Sequence, residues 1–405
     1  MCVRNGSTSV DWIRHRNSDP ARHQACIIPL VIRRLYVHNF RCLENFELPV
    51  SGQSSVLLIG KNGSGKTTVG RALEILQKIT RGKNRVRDLV NEGDLARGRA
   101  DVPMRFEIEV ELKGKVYGYA IAFEFPVGFR ELRVREESFI VDGKPVYRRE
   151  LAEVHLVNEA SFRIDWHLVA LPIVQEQSTI DPLFIFKQWL TRMLILQPAP
   201  GLIGGDSEEE TLQPNPQVTD FAAWFSGLVG QWPAAYARID SYLREVLPDL
   251  KDIKNPLVGT KSKSLSVQFS TDRGSLTLPF GSLSDGEKCY MISALVLAAI
   301  DVYEPMLCFW DEPDNYLALD EVGHFIVALR KAFQSSRSQF IATSHNQEAI
   351  NRFSDENTLY LYRNSHVEPT VVRPVSDLRA SGSLHGDLVN ALVRGDVNQR
   401  GEPAP

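Results

Sequence analysis

Cysteine is scarce in this sequence. Its five, Cys2, Cys26, Cys42, Cys289 and Cys308, are an odd number with no C-x-x-C pair. That argues against a disulfide framework or a zinc site and for a reduced, cytoplasmic setting. An excess of one charge is also lacking. Lys and Arg total 46 against 50 Asp and Glu, a net charge of −4, which excludes a strongly basic nucleic-acid binder and leaves room only for a local basic patch. The longest apolar stretch, residues 292–300, stops at Asp301, well short of the ~20 residues that cross a bilayer. No charged-then-apolar segment opens the sequence, so the expectation is a soluble, cytoplasmic chain without a membrane partner. The 405 residues, 43% of them hydrophobic, are ample for one large domain or two.

Residues 1–30 show no apolar period and are rich in Arg, Ser, Asn and His; they read as a flexible extension. Order begins at Val31-Ile32-Arg33-Arg34-Leu35-Tyr36-Val37, and a second apolar run, Val56-Leu57-Leu58-Ile59, leads into Gly60. Val69, Ala72, Leu73 and Leu76 then form a helical stripe. Alternation at Phe106, Ile108, Val110 and Leu112, with turns at Lys113-Gly114 and Asp142-Gly143, predicts a β-rich stretch. A helical pattern returns over residues 184–196, Pro198 and Pro200 punctuate a boundary, and residues 224–250 read as a small helical unit. A further hairpin spans residues 265–280, and beyond it strands and helices alternate, which favours a parallel sheet with crossover helices. Residues 381–405 are expected to form a short helix and a loose tail.

Three motifs carry chemistry. Gly60-Lys61-Asn62-Gly63-Ser64-Gly65-Lys66-Thr67 fits G-x-x-x-x-G-K-[ST] at every fixed position, after a strand and before a helix. Its glycines let backbone N–H groups converge on phosphate oxygens at a helix N-terminus. Lys66 would reach the β- and γ-phosphates, and the Thr67 hydroxyl would bind Mg²⁺. Met306-Leu307-Cys308-Phe309-Trp310-Asp311-Glu312 is an apolar run ending in two carboxylates, placed where α/β sheets hold ligands. Asp311 would belong to the Mg²⁺ shell, and Glu312 would orient or deprotonate the attacking water. Ser344-His345-Asn346 follows another apolar strand in the same way, so His345 is expected to contact the γ-phosphate and hold the water. The remaining histidines show no ligand spacing, so no metal beyond Mg²⁺ is expected. Leu283-Ser284-Asp285-Gly286-Glu287 has two readings. Ser284 and Glu287 have the spacing of a capping box, and an apolar helix follows.

In this order the motifs resemble those of ABC-type ATPases, in the branch shared by RecF-, SMC- and OLD-like proteins. The resemblance covers residues 31–373. It rests on Ile32-Arg33-Arg34-Leu35-Tyr36-Val37-His38-Asn39-Phe40-Arg41, on the phosphate loop with Thr68 after it, and on Trp310-Asp311-Glu312-Pro313 and Thr343-Ser344-His345-Asn346. It implies an α/β fold: a P-loop NTPase, an ABC-ATPase head with a β-rich lobe and a small helical lobe. Residues 31–199 would carry the phosphate loop and β-rich lobe, 200–262 the helical lobe, and 263–380 the signature, acidic and switch motifs.

By that resemblance residues 283–287 are the signature loop, whose Ser284 Oγ and Gly286 N–H contact the γ-phosphate held by another subunit. Asp285 and Glu287 stand where the transporter form has glycine and glutamine. A capped helix end also suits an anion contact, so both readings can hold. The family's Mg²⁺-sensing glutamine would be Gln197, with Gln175 and Gln177 as alternatives. Asn315 to Asp320 would cross the dimer interface, and Arg41 would couple nucleotide to the partner subunit. The implied cofactors are ATP and Mg²⁺, bound with Asn62, Gly63, Ser64 and Gly65, and the implied assembly is a homodimer or higher oligomer around two ATPs.

No D-x-D pair of a TOPRIM nuclease and no second His/Asn cluster of an HNH nuclease is present in the sequence. Three uses then compete: the sensor or motor of an anti-phage defence module with a separate nuclease or toxin, a RecF-like DNA repair ATPase, or an ATP-gated protein scaffold. Lys78, Arg81, Lys83, Arg85 and Arg87, followed by Arg97 and Arg99, are either a DNA contact or a solvated helix end.

Overall fold

The computed structural model describes residues 31–157, 159–382, 384, 388 and 391. The extension expected at residues 1–30 and most of the expected tail at 381–405 lie outside the described residues. Strand Ser55–Ile59 is buried along its whole length, and its side chains alternate between two cores. Val56 and Leu58 belong to one, Leu57 and Ile59 to the other. The same division runs through Leu307–Trp310, where Leu307 and Phe309 face the first core and Cys308 and Trp310 the second. A strand with two apolar faces requires a layer on each side.

The six-stranded sheet runs in the order Leu194–Leu196, Leu307–Trp310, Gln339–Thr343, Ser55–Ile59, Thr358–Tyr362, Val371–Pro374. Every neighbouring pair is parallel except the last. Gln197, Gly60, Asp311 and Ser344 therefore leave the sheet along one edge, the carboxyl end of its parallel strands.

On the first face lie helix Lys66–Thr80, helix Pro182–Arg192 and an eight-stranded antiparallel sheet whose edges are Phe46–Leu48 and Ser161–Arg163, with Ile32–His38 next to the former. Lys113, Gly114, Asp142 and Gly143 all have positive φ, as two-residue hairpins of the twist-matching type require. Helix Lys66–Thr80 lies directly on strand Leu307–Trp310 because Gly70 has no side chain. A Cβ there would stand 2.5 Å from the Phe309 ring.

The second face carries helices Asp285–Tyr303 and Leu319–Ser335, with helices Phe221–Gln231 and Ala234–Val246 beyond them. Helix Asp285–Tyr303 is buried all round from Lys288 to Ile300, as its unbroken apolar run demands.

Two expectations change in detail. The helical pattern of residues 184–196 divides: the helix ends at Arg192, Met193 takes an extended ψ of 141°, and Leu194–Leu196 joins the parallel sheet at its edge. Three apolar residues fit a strand or a helix equally, and only the neighbouring Leu307–Trp310 decides. Helix occupies only part of the expected helical lobe. With it stand two three-stranded sheets, one of which draws in the hairpin Ser266–Thr271 and Gly274–Pro279. No helix among the described residues is long and apolar enough to cross a membrane.

Candidate active site

The loop from Gly60 to Lys66 wraps a helix N-terminus that has no side-chain cap. Gly65, the N-cap, has a left-handed φ of 103°, so the first-turn N–H groups remain available to an anion. Gly60 has a φ of 149°, and a Cβ there would lie 2.1 Å from the Leu361 carbonyl oxygen. Only glycine fits. Lys66 is buried, and its Nζ donates to the carbonyl oxygens of Gly60 at 2.9 Å and Lys61 at 3.4 Å. Burial lowers its pKa, while Glu312 and Asp311 pull the other way. The Ser64 hydroxyl is buried without a hydrogen-bond partner among the described residues.

The second strand end closes on the first. Thr67 Oγ1 donates to Asp311 Oδ2 at 2.8 Å, and Thr343 Oγ1 donates to Asp311 Oδ1 at 2.6 Å. Glu312 takes a φ of 51°, a left-handed conformation that is uncommon for a residue with a Cβ. Its N–H donates to Thr343 Oγ1 at 3.0 Å. The Glu312 carboxylate accepts a hydrogen bond from Asn315 Nδ2 and stands 3.6 Å from His345 Nε2. Burial, then the Lys66 charge, lowers the His345 pKa against the pull of the two carboxylates, which favours the neutral imidazole. One layer deeper, the Ser344 hydroxyl donates to buried Asp314 at 2.9 Å.

Hydrogen bonds thus join Thr67, Asp311, Thr343 and Glu312, His345 stands beside the Glu312 carboxylate, and Lys66 feels the charge of both acids. The residues of the loop line a cavity of about 610 Å³ together with Arg41, Cys42, Leu95, Arg97, Glu312, Arg363 and His366. Leu196 pairs with Trp310, and Asp311 N–H donates to the Leu196 carbonyl at 2.8 Å, so Gln197 stands beside Asp311. Gln175 and Gln177 precede helix Pro182–Arg192, outside any strand. A hydroxyl and a carboxylate drawn together, with a glutamine next to them, form a hard-oxygen set that suits Mg²⁺. The orphan Ser64 hydroxyl and the uncapped helix suit a phosphate chain.

The signature residues form a different structure. Ser284 caps helix Asp285–Tyr303 in a complete capping box. Its Oγ accepts from Glu287 N–H at 3.3 Å, and Glu287 Oε2 accepts from the Ser284 N–H and hydroxyl at 2.7 Å each. Ser284 is exposed. Gly286 packs against the 315–320 loop, where an added Cβ would meet the Tyr316 carbonyl at 3.0 Å. Tyr316 and Leu319 project 43% and 68% exposed.

The basic cluster disperses. Lys78 pairs with Glu74, Arg87 lies 4.0 Å from Asp88, and Arg97 and Arg99 both meet Glu44. Arg81 is held by the carbonyls of Thr191, Pro214 and Met193, and burial lowers its pKa to about 10. Lys83 and Arg85 reach solvent, and Arg85 bridges Leu168 in the backbone.

Sequence reasoning left out the loop after strand Thr358–Tyr362. Arg363 donates to the Gly63 carbonyl at 3.3 Å, and Thr370 donates to the Ser64 carbonyl at 2.9 Å. Thr343 was quoted within a motif but given no role.

The family described as RecF/RecN/SMC N terminal domain matches residues 31–368. A curated OLD nuclease from Thermus scotoductus is 44% identical over 46 residues, which is 11% of this chain and 8% of that protein. Among solved structures, an SMC head bound to the C-winged helix domain of ScpA is 15% identical, with 86% of this chain and 99% of that one covered at a TM-score of 0.48. The SMC head domain from Thermotoga maritima is 15% identical, with 85% and 98% covered at 0.45.

Proposed function

The chain belongs to the RecF/RecN/SMC N-terminal-domain family of ABC-type ATPases, and from that premise we propose that it binds and hydrolyses ATP at this edge and dimerises around two ATPs. The observation that carries the reading is the hydrogen-bonded row Thr67–Asp311–Thr343–Glu312, which joins a phosphate loop to a carboxylate held free of the sheet. The N–H groups of the loop and Lys66 hold the triphosphate. Thr67 and Asp311, with Gln197 at hand, hold Mg²⁺, which when bound neutralises phosphate charge. Glu312 accepts the proton of the attacking water, and neutral His345 fixes that water near the γ-phosphate. Ser284 and the Gly286 N–H meet the γ-phosphate of the opposite subunit, and the exposed 315–320 loop crosses between the two.

Light scattering tests the assembly. In Glu312→Gln protein, Mg-ATP should raise the mass from monomer to dimer, and adding Ser284→Arg should abolish the rise. A mass indifferent to ATP sinks the two-subunit site.

Within this reading the protein is the ATPase of a defence module that acts through a separate nuclease or toxin. The short OLD-nuclease match supports that class, and a nuclease reading frame beside this one would support it further. DNA repair is the second reading, favoured by the exposed Lys83 and Arg85. It requires salt-dependent DNA binding that Lys83→Glu with Arg85→Glu removes. Binding that persists in the double variant excludes that surface.

A further inference from the structure

We propose that Thr343 is a positioning residue that sets the conformation of Glu312 from the end of the adjacent strand, an inference that rests on the ATPase reading of the site. The parallel register pairs Trp310 with Ala342, so Asp311, one residue past its strand, faces Thr343, the last residue of Gln339–Thr343, at the edge of the sheet. Thr343 is fully buried, and its hydroxyl uses both of its capacities across that gap. It donates to Asp311 Oδ1 at 2.6 Å and accepts the Glu312 N–H at 3.0 Å.

A buried threonine hydroxyl usually satisfies itself on a nearby carbonyl of its own segment. This one instead spans the carboxylate that faces Thr67 and the amide of the residue at φ 51°. A left-handed residue with a Cβ persists only where its surroundings over-determine it. For Glu312 the recorded restraint on the backbone N–H is this hydroxyl. With the amide held, the chain reverses at once, and the carboxylate is delivered to Asn315 and His345. The single hydroxyl therefore links the Asp311 carboxylate, whose other oxygen faces the phosphate-loop threonine, to the direction of the general base. A valine at 343 keeps the shape and removes both links.

The first readout needs no nucleotide. Amide hydrogen exchange across residues 311–315 should be faster in Thr343→Val than in the native protein and close to native in Thr343→Ser. The second is kinetic. Thr343→Val should lose about 10- to 100-fold in kcat, the usual effect of removing such a supporting contact. Its KM for ATP should stay within about threefold, since the substrate-binding groups remain, and Thr343→Ser should restore most of kcat.

If Thr343→Val folds poorly, Thr343→Cys, close in shape with only a weak hydrogen-bonding group, is read in its place. Native exchange together with a kcat within about twofold of native overturns the proposal. Glu312→Gln runs beside it. If that variant also turns over at the native rate, the ATPase reading of the site has failed. If it is slow while Thr343→Val is fast, only the positioning role falls.

Discussion

The phosphate loop and the signature loop both precede a helix, and they treat its N-terminus in opposite ways. Helix Lys66–Thr80 starts at a glycine with no side-chain cap. The orphan N–H groups of its first turn have no protein side chain to satisfy them, and an anion is their natural partner. Helix Asp285–Tyr303 starts at a serine engaged with Glu287 on three contacts, so two of its end N–H groups, those of Ser284 and Glu287, are satisfied without a ligand. The first end is built to bind in the monomer. The second is stable alone, and on the proposed two-subunit reading a phosphate would compete there with the Glu287 carboxylate for the Ser284 hydroxyl.

That difference separates two kinds of effect. Lys66→Met should weaken binding of a fluorescent ATP analogue to the monomer by about 100-fold, the worth of a charge-assisted hydrogen bond or two. Glu287→Gln should leave monomer affinity unchanged, because the residue serves only the other end. It keeps the reach of the cap while removing a charge near the incoming triphosphate. In the Glu312→Gln background it should therefore favour the ATP-driven dimer by about fivefold, equal to roughly 1 kcal/mol for one screened charge at close range. A loss of monomer affinity in Glu287→Gln comparable to that of Lys66→Met would break the contrast.

Much of this was legible in the sequence because it is local. The phosphate loop, the acidic strand end and the switch histidine each sit within a few residues of an apolar run whose direction fixes their place. The hairpin turns at Lys113-Gly114 and Asp142-Gly143 were legible for the same reason. What escaped depends on partners far away in the chain. Leu194–Leu196 became a strand because Leu307–Trp310 offered an edge. Arg81 reads as one more surface cation, yet it is drawn inward by carbonyls 110 or more residues away. The hydroxyl of Thr343 acquires its meaning only when Asp311 and Glu312 arrive from the neighbouring strand.

The smallest effect concerns the acids on the two sides of the contrast. Asp285 is exposed beside the signature serine, whereas Asp314, behind the Glu312 turn, is 3% exposed. Burial pushes the Asp314 carboxyl from 3.8 up to about 6, against the hydrogen bonds of the Ser344 hydroxyl and of its own N–H, and the Glu312 charge adds to the rise. Between those two values the folded protein keeps a proton that the unfolded chain has released. Stability contributed by this group is therefore full below pH 3.8 and is lost as pH rises through about 6. Asp314→Asn carries no such proton. Its melting temperature relative to the native protein should rise between pH 4 and pH 8, by the equivalent of at most roughly 3 kcal/mol. The new amide puts an NH₂ or a carbonyl where Asp314 Oδ1 has no partner, and that shifts the variant by a constant offset. The comparison reads only the change with pH. A difference that stays flat from pH 4 to pH 8 would mean that Asp314 ionises in the fold as readily as in the open chain, and burial at this edge would then not hold its proton.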